Sequence, residues 1–417
     1  MPHDFVPPFR LKADSPTLSL DIHDPRFYAD PWSTYAALHA SAPRFFWEEE
    51  GKWFFAAYSD VNALLRDRRF GRQILHVASR EELGLPEPQP HLADFDRIES
   101  FSLLELEPPA HTRLRTLVNR AFVSRQIDKL SPRIAALCHQ LIDGFAGKGE
   151  VELLKAYAEI IPVTIIAEML GVPQEAAPDL LDWSHRMVRM YMARPTRETE
   201  DDANQASADF AAYLAGIIDW KRQNPADDLL TQMITADRDG QRLSEEELIS
   251  TAALLLNAGH EATVHQIGNA VALILSQDAD PAALFADDRT TTLTVEECLR
   301  RAAPLHLFQR IALEDVVLED GIAIKRGERI GLLLGAANVD PQRFTDPMAF
   351  RPDRDEGANL SFGAGIHFCI GAPLARLELK IALPILFQRL PGLRLKAAPE
   401  VKDSFHFHGL ERVELVW

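Results

Sequence analysis

The chain has 417 residues, of which 47% are hydrophobic and 25% are charged, the proportions of an ordinary folded protein. Extensive disorder is therefore excluded. The 44 Lys and Arg residues stand against 62 Asp and Glu residues, which gives a formal net charge of −18. Generic nucleic-acid and anionic-membrane binders carry the opposite balance. The length predicts two lobes or one large α-rich unit.

The three cysteines, Cys138, Cys298 and Cys369, lie far apart in the sequence. Their spacing fits neither a zinc site nor a dense disulfide framework. Residues 1–16 contain no apolar stretch of the kind found in signal peptides or membrane anchors. We therefore expect a reduced, cytoplasmic protein without integral membrane contact.

The first predicted elements are two strands and a short helix. Aromatic-rich runs at Phe45–Trp47 and Trp53–Ala56 flank an acidic turn that contains glycine, which predicts a β-hairpin. Ser59 and Asp60 are the predicted caps of the short helix. Residues 72–100 predict a long loop with one helical turn, either a lid over a binding site or a solvated connector.

Residues 110–279 are predicted to be mainly helical. Ser244 and Glu247 have the spacing of a capping box and precede an apolar-rich stretch that reaches about Ser276. At ~1.5 Å per residue this helix would be roughly 50 Å long. Because it is apolar on all sides, we expect it to be buried at the centre of the protein. A further helix is predicted to contain Val295–Ala302.

The C-terminal part mixes short strands, loops and one helix. A loop-rich region is predicted to end near Gly365, and the last helix runs from about Gly371 toward Leu390. The pattern as a whole predicts a mainly α protein with small β-sheets, of the α+β class. The predicted strands are Val316–Leu318, Ile322–Ile324 and Ile330–Leu333.

The most specific motif is Phe-Gly-Ala-Gly-Ile-His-Phe-Cys-Ile-Gly at residues 362–371. Two glycines permit a tight turn, and Cys369 comes just before a predicted helix start, where the helix dipole favours a thiolate. A lone buried cysteine is usually a small core residue, but this string matches F-G-x-G-x-H-x-C-x-G at every fixed position. It resembles the haem-ligand loop of the cytochrome P450 superfamily, soluble bacterial type.

The resemblance implies one cytochrome P450 domain over residues 1–417, with haem between the long central helix and the Cys loop. The implied parts are a β-richer region at about 40–70, a helical core at about 110–310, and a C-terminal part at about 311–417. The cofactor would be haem b, with Cys369 as its iron ligand. Other positions implied to contact the haem are Phe362, Gly363, Gly371, Ala258 and Gly259.

Four cationic or imidazole side chains match family partners of the haem propionates. Buried carboxylates require charge-assisted donors, although each residue taken alone reads as an ordinary surface group. The implied propionate partners are His111, Arg115, Arg310 and His367.

Glu297 and Arg300 lie three residues apart on one helical face and resemble the family's Glu-x-x-Arg motif. Arg354 lies in a segment that resembles the one whose arginine joins that pair. The resemblance implies a structural role for these three residues, which would hold the region that backs the haem.

Residues 258–263, Ala-Gly-His-Glu-Ala-Thr, resemble the family's oxygen-binding motif. The resemblance implies catalytic positions at Glu261, Ala262 and Thr263, with Glu261 supplying protons. The hydroxyl that normally follows the acid is missing, because that position is Ala262. Thr263 is rotated by about 100° and cannot simply replace it, so Glu261, water or a substrate hydroxyl must complete the proton path.

The resemblance predicts a haem-thiolate monooxygenase that inserts one oxygen atom from O2 into a C–H bond of a small or medium, mostly apolar molecule. It also implies a monomer that takes electrons from an external ferredoxin and an NAD(P)H-dependent ferredoxin reductase. Two alternatives stay open: a haem-thiolate enzyme that uses peroxide or catalyses a non-oxygenating rearrangement, and a non-catalytic haem or ligand-binding protein.

Four cations on the cysteine side indicate either a ferredoxin-binding patch or scattered surface charge. Six residues at family pocket positions indicate either substrate contacts or core packing. The predicted ferredoxin contacts are Arg113, Arg120, Arg376 and Lys380. The predicted substrate contacts are Leu103, Leu104, Leu255, Leu305, Phe308 and Phe407.

Overall fold

The structure is a computed structural model that describes residues 6–121, 127–191, 195–237 and 240–417. Residues 1–5, part of the segment predicted to lack a signal peptide, lie outside these ranges. The α-helices are α1 (Pro25–Tyr28), α2 (Pro31–Ser41), α3 (Tyr58–Leu64), α4 (Ala93–Glu99), α5 (Ala110–Ala121), α6 (Ser131–Asp143), α7 (Ile160–Leu170), α8 (Ala177–Val188), α9 (Arg197–Gln223), α10 (Leu229–Thr235), α11 (Glu245–Leu275), α12 (Pro281–Leu284), α13 (Asp288–Arg301), α14 (Leu334–Ala337) and α15 (Ala372–Arg389). Shorter helical segments are a π-helix at Leu154–Ala158 and 3₁₀ turns at Pro90–Leu92, Ala146–Lys148, Gln174–Ala176, Arg189–Tyr191 and Gly365–His367.

Small β-sheets complete the mainly α fold that the sequence predicts. The strands are β1 (Phe9–Leu11), β2 (Thr17–Leu20), β3 (Arg44–Trp47), β4 (Lys52–Phe55), β5 (Phe70–Gly71), β6 (Glu150–Glu152), β7 (Leu307–Ala312), β8 (Val316–Val317), β9 (Ala323–Ile324), β10 (Arg329–Leu333), β11 (Arg394–Leu395), β12 (Glu400–Val401), β13 (Leu410–Arg412) and β14 (Glu414–Val416). The largest sheet has the order β1-β2-β3-β4-β10-β7-β5, with parallel pairing of β2 with β3 and of β4 with β10. The smaller sheets are β11-β14-β6, β12-β13 and β8-β9.

The central helix, α11, has the start and the length that the sequence predicts. The Ser244 hydroxyl accepts the Glu247 N–H at 3.2 Å, and the Glu247 carboxylate accepts the Ser244 N–H at 2.9 Å. This capping box begins a helix of 31 residues. Helices α4, α7, α8, α13 and α15 pack against it, which accounts for the burial of most of its side chains. The predicted long, buried central helix is confirmed.

The predicted β-hairpin is also confirmed, but the caps predicted for α3 are wrong. Strands β3 and β4 pair antiparallel, with Phe45 opposite Phe54. Helix α3 begins at Tyr58, one residue before Ser59, and has no side-chain cap at its N-terminus. Asp60 is not available for capping because its carboxylate accepts the Arg44 guanidinium in two hydrogen bonds of 2.6 Å.

Several elements are not apparent in the sequence. Residues 72–100 contain α4, which is longer than the single helical turn predicted there. Strands β1, β2 and β7 were not predicted, because each is short and strand preference depends on its partners. For β7 those partners are β10 and β5, the latter more than 200 residues away in the sequence.

The apolar core has one large part among the helices and smaller parts beside the main sheet. The helical part includes residues of α4 through α13, α15 and the C-terminal strands. None of the helices in the described ranges combines the length and apolar character needed to cross a bilayer.

Candidate active site

The loop that carries Cys369 is shaped by two glycines with positive φ. Gly363 and Gly365 have φ values of +68° and +74°, a conformation that glycine adopts without steric cost. A Cβ atom on Gly363 would lie 2.9 Å from the Phe308 ring. The loop closes where the Cys369 N–H donates to the Phe362 carbonyl oxygen at 3.0 Å. Helix α15 then begins at Ala372, just after the cysteine.

Cys369 is accessible to solvent, although many protein atoms surround its thiol. Its side chain is exposed, yet burial among protein atoms raises the pKa of its thiol. The backbone N–H groups of Gly371 and Ala372 and the charge of Arg115 oppose this shift without cancelling it. Desolvation thus outweighs the thiolate preference expected from the helix dipole. An accessible thiol in such surroundings is suited to bind a cationic metal, which would favour the thiolate.

His111 on α5 and His367 on the Cys loop lie together, with ring centroids 4.6 Å apart. The Nε2 atom of His367 is 3.1 Å from Oε1 of Glu107. Both ring nitrogens of His111 and Nδ1 of His367 are buried without a hydrogen-bond partner among the described residues. Burial, assisted by His367, lowers the pKa of His111 to about 4. Buried polar nitrogens are normally satisfied, so this pair is suited to a further acceptor.

Arg115 and Arg310 add guanidinium donors to the ring nitrogens of His111 and His367. Arg310 on β7 is 3% exposed, and its Nη1 donates to the Gln309 carbonyl at 2.9 Å. Arg115 donates to the Phe368 carbonyl at 2.8 Å. Burial lowers the pKa of both, that of Arg310 to about 10. Within the described residues neither forms an ion pair with a carboxylate, so the donor set fits a ligand that carries carboxylates of its own.

Part of the central helix is accessible although its neighbours are buried. Ala258 is exposed, and Leu254, Gly259 and Ala262 are half-buried. Leu254, Ala258 and Ala262 are four residues apart, so they share one helical face. Thr263 is buried, in agreement with the rotation that separates it from Ala262. The small residues of this face are therefore accessible, unlike most of the helix.

Glu261 lies among basic side chains. Its Oε1 atom is 3.2 Å from Nε2 of His265 and 3.6 Å from Nζ of Lys402, and its Oε2 atom is 3.9 Å from Nε2 of His185. Burial opposes ionisation, but the hydrogen bond with His265 and the nearby cations outweigh it and lower the pKa of Glu261 to about 2. Glu261 is therefore ionised at neutral pH.

Glu297, Arg300 and Arg354 form a buried network on and beside α13. Glu297 accepts Arg300 at 2.7 and 2.8 Å and Arg354 at 3.1 Å. The Arg351 backbone N–H donates to the same carboxylate at 2.7 Å. Arg300 also donates to the carbonyls of residues 338, 347 and 349. The network ties α13 to the segment that precedes the Cys loop.

The six residues predicted to contact substrate are divided between different parts of the core. Leu103 and Leu255 are buried in the helical part, while Leu104 is half-buried. Leu305 and Phe308 pack against the core beside the sheet, and Phe407 pairs with Leu305 in a β-bridge. On the central helix, Leu254 rather than Leu255 shares the accessible face with Ala258.

Sequence reasoning missed four polar residues of this region. Glu107 directly precedes the Pro-Pro pair before His111, but nothing in the sequence links it to His367, 260 residues away. His265 lies four residues after Glu261, a spacing that could have indicated the contact. His185 and Lys402 reach Glu261 from other elements, and only the folded chain brings them there.

Comparison with known proteins relates this architecture to one family. Residues 289–410 match the family model described as Cytochrome P450. The chain is 38% identical over 380 residues to Cytochrome P450 107B1 of Saccharopolyspora erythraea, with 87% of this chain and 88% of that protein covered. It is 36% identical over 400 residues to Vitamin D(3) 25-hydroxylase of Pseudonocardia autotrophica, with coverage of 94% and 95%.

A solved structure agrees with these relatives. P450BioI, crystallised in complex with hexadec-9Z-enoic acid ligated acyl carrier protein, aligns with a TM-score of 0.86 and 32% identity. The alignment covers 94% of this chain and 98% of P450BioI. Fold and sequence thus define a haem-dependent oxidoreductase. The chain belongs to the cytochrome P450 family, and it is a monooxygenase that acts with O2 on a small molecule.

Proposed function

We propose that Cys369 provides the thiolate ligand of the iron in haem b, and that residues 1–417 form a single domain around this group. The observation that carries the proposal is the accessible but desolvated thiol beside a set of unpaired buried donors. The bound haem supplies the oxygen-activating chemistry, and a thiolate ligand favours cleavage of the O–O bond.

Around the haem, the glycine turn at Gly363 and the residues Phe362 and Gly371 shape the Cys side. Ala258 and Gly259 keep the facing surface of α11 small and open. His111, Arg115, Arg310 and His367 hold the propionates. This assignment accounts for two observations made among the described residues, the unpartnered ring nitrogens of the histidines and the guanidinium groups without a carboxylate partner.

The test of the ligand is Cys369→Ala. Reduced protein under carbon monoxide should show the red-shifted absorption band typical of haem thiolates, and the variant should lose it. Cys138→Ala is the matched control, because Cys138 is a buried thiol on α6 and should leave the band unchanged. Survival of the band in Cys369→Ala would assign the iron to another ligand.

We further propose that Glu261 supplies protons to the accessible face of α11 at Ala258 and Ala262. Its carboxylate is ionised and holds ordered water beside His265 and Lys402, and that water delivers the protons. Thr263 is buried on another side of the helix, so Glu261 and water carry the path without a hydroxyl at position 262.

The substrate is proposed to be a small or medium, mostly apolar molecule that is oxygenated at a C–H bond. Leu254, Ala258 and Ala262 give the accessible face of α11 an apolar surface. Two related proteins point to apolar carbon skeletons, since one is named for the 25-hydroxylation of vitamin D3 and another was crystallised with a C16 acyl chain on its carrier protein. A compound screen for the shift of the haem absorption band on binding tests this class.

Electrons are proposed to come from an external ferredoxin and its NAD(P)H-dependent reductase, with the chain acting as a monomer. The predicted basic patch is partly neutralised: Arg376 pairs with Glu296 at 2.5 Å, and Lys380 pairs with Asp288 at 2.8 Å. Exposed Phe368 adds an apolar contact beside the Cys loop. We therefore expect the electron-transfer rate to fall with salt by less than roughly tenfold. A rate independent of salt, unchanged by Arg376→Glu, would count against this surface.

One observation favours a second candidate function. Ala262 provides no hydroxyl beside bound O2, and an enzyme driven by peroxide needs no delivered protons for O2 activation. If product forms with peroxide and never with O2, reductase and ferredoxin, the peroxide-using alternative replaces the proposal. The expected result is turnover that requires both the electron donors and O2.

A further inference from the structure

A second group of potential ligands lies beside the accessible face of the central helix. His185 on α8 and His260 and Glu261 on α11 bring one ligand atom each within 4.8 Å of one another. The rings of His185 and His260 have centroids 5.2 Å apart. The haem assignments use neither histidine, so their arrangement requires a separate explanation.

His260 is the residue that points to a ligand. It is 3% exposed, and neither ring nitrogen makes a well-formed hydrogen bond among the described residues, although the Glu159 backbone lies close enough to favour the charged ring. Buried polar groups are normally paired, so an imidazole left without a good partner in this position indicates a site that binds a ligand. Glu261 has its Oε2 atom turned toward His185, while its Oε1 atom faces His265 and Lys402.

The charge states of the group suit a metal ion. Metals bind neutral imidazole and ionised carboxylate. Burial, assisted by the repulsion of His185, lowers the pKa of His260 to about 4, so its ring is neutral at pH 7. Glu261 is ionised, and its contact with His265 fixes the carboxylate from behind, as an outer-shell partner does in established metal sites.

We propose that His185, His260 and Glu261 bind a divalent transition-metal ion of the zinc class. Two imidazole nitrogens and one carboxylate oxygen are ligands typical of zinc, with a fourth position left for water. Tetrahedral coordination at these bond lengths places ligands about 3.3 Å apart. The half-exposed His185 side chain can rotate to close the remaining distance. An ion held there neutralises Glu261 and therefore also regulates oxygen activation, a consequence that rests on the proposed function.

The direct test is binding of Zn²⁺ to tag-free holoenzyme at pH 7.5, by calorimetry and by equilibrium dialysis with metal analysis. We expect one site, which His185→Ala weakens by at least roughly tenfold, since loss of an outer-shell partner alone often costs that much. X-ray absorption at the zinc edge should report nitrogen and oxygen ligands without sulfur. His139→Ala is the matched control, because His139 is exposed on α6 and contacts Arg389.

The proposal is overturned if Zn²⁺ up to 100 µM does not bind, if His185→Ala binds as tightly as the unaltered chain, or if His139→Ala weakens binding equally. Steady-state turnover tests the role of Glu261 separately from metal binding. If Zn²⁺ binds with the expected ligands and slows product formation only when His185 is present, both the metal site and the role of Glu261 are supported. If it binds and turnover is unchanged, the metal site stands and the proton path through Glu261 fails.

Discussion

The Cys loop and the central helix face the same proposed haem site, yet they place their functional groups by different means. The loop relies on backbone conformation: positive φ at Gly363 and Gly365 and a hydrogen bond from the Cys369 N–H. The central helix offers a regular backbone, and its chemistry depends on side chains from other elements. Glu261 meets His185 from α8 and Lys402 from beyond β12.

This difference indicates which part of the site is common to the family and which part is particular to this chain. A loop fixed by glycines leaves little room for substitution, and here it matches the family pattern at every fixed position. On the helix, a single substitution changes the chemistry without changing the fold. Ala262 is an example, because it places a methyl group where the family motif has a hydroxyl. We therefore expect changes on the Cys side to affect stability and cofactor retention, and changes on the helix side to affect coupling and proton supply.

The largest effect is expected for the network that supports the Cys side. Glu297→Gln keeps the shape of the side chain but leaves Arg300 buried without a counter-charge, while Arg354 keeps its ion pair with Glu356. This should lower the free energy of unfolding by about 3–5 kcal/mol. Urea denaturation of the holoprotein measures this. Glu296→Gln is the matched control, because the neighbouring Glu296–Arg376 pair is about one-third exposed and should cost at most about 1 kcal/mol. Equal losses in both variants would contradict the special role of the buried network.

On the helix side, Glu261→Gln should slow product formation by about 100-fold, the scale of a lost proton-transfer group, and raise the ratio of peroxide to product. Oxygen consumption, peroxide and product are measured together. Glu246→Gln, an exposed carboxylate on the same helix, should behave as the unaltered chain. Normal coupling in Glu261→Gln would remove Glu261 from the proton path.

The same comparison explains how much could be predicted from the sequence. The central helix and its cap, the hairpin and the class of fold follow from local patterns that the structure contains. The short helix α3 was predicted as well, but its first residue was not, because the Asp60 carboxylate pairs with Arg44 instead of capping the helix. Strand β7, which carries Arg310, was missed because its pairing is non-local.

The sequence motifs identified the positions of candidate site residues but not the residues that surround them in the fold. Sequence spacing relates Cys369 to Phe362 and Glu297 to Arg300, which are close in the chain. It cannot relate Glu107 to His367, which are 260 residues apart. The unpartnered state of His260 is equally invisible, because a histidine in an apolar helix is usually a satisfied core residue. Only the fold shows which polar groups lack partners.

A smaller effect is expected from a buried carboxyl on α15, next to the Cys loop. Glu378 is 2% exposed, its Oε1 atom has no hydrogen-bond partner in the part of the chain that the structure describes, and burial raises its pKa from 4.5 to about 8. The folded state thus holds this proton more tightly than the unfolded state. Its contribution to stability is complete below about pH 4.5 and is lost as the pH rises to about 8.

Glu378→Gln should remove this dependence. Relative to the unaltered chain, the variant should gain unfolding free energy between about pH 5 and pH 8 and then level off, as measured by urea denaturation at each pH. Glu411→Gln, an exposed carboxyl, serves as the control and should track the unaltered chain. A constant difference between Glu378→Gln and the unaltered chain over this range would mean that Glu378 is not the titrating group.

The smallest effect is expected at Ala262, and it decides whether the helix side has its own proton path. Ala262→Thr places a hydroxyl on the accessible face of α11, and Ala262→Val adds the same bulk without the hydroxyl. If Glu261 and water already deliver protons, both variants should keep the peroxide-to-product ratio within about twofold of the unaltered chain with a well-bound substrate. A large improvement in Ala262→Thr but not in Ala262→Val, together with normal turnover of Glu261→Gln, would show that no such path exists. In that outcome the missing hydroxyl limits the enzyme, and O2 activation here leaks peroxide because the side chain after the acid is a methyl group.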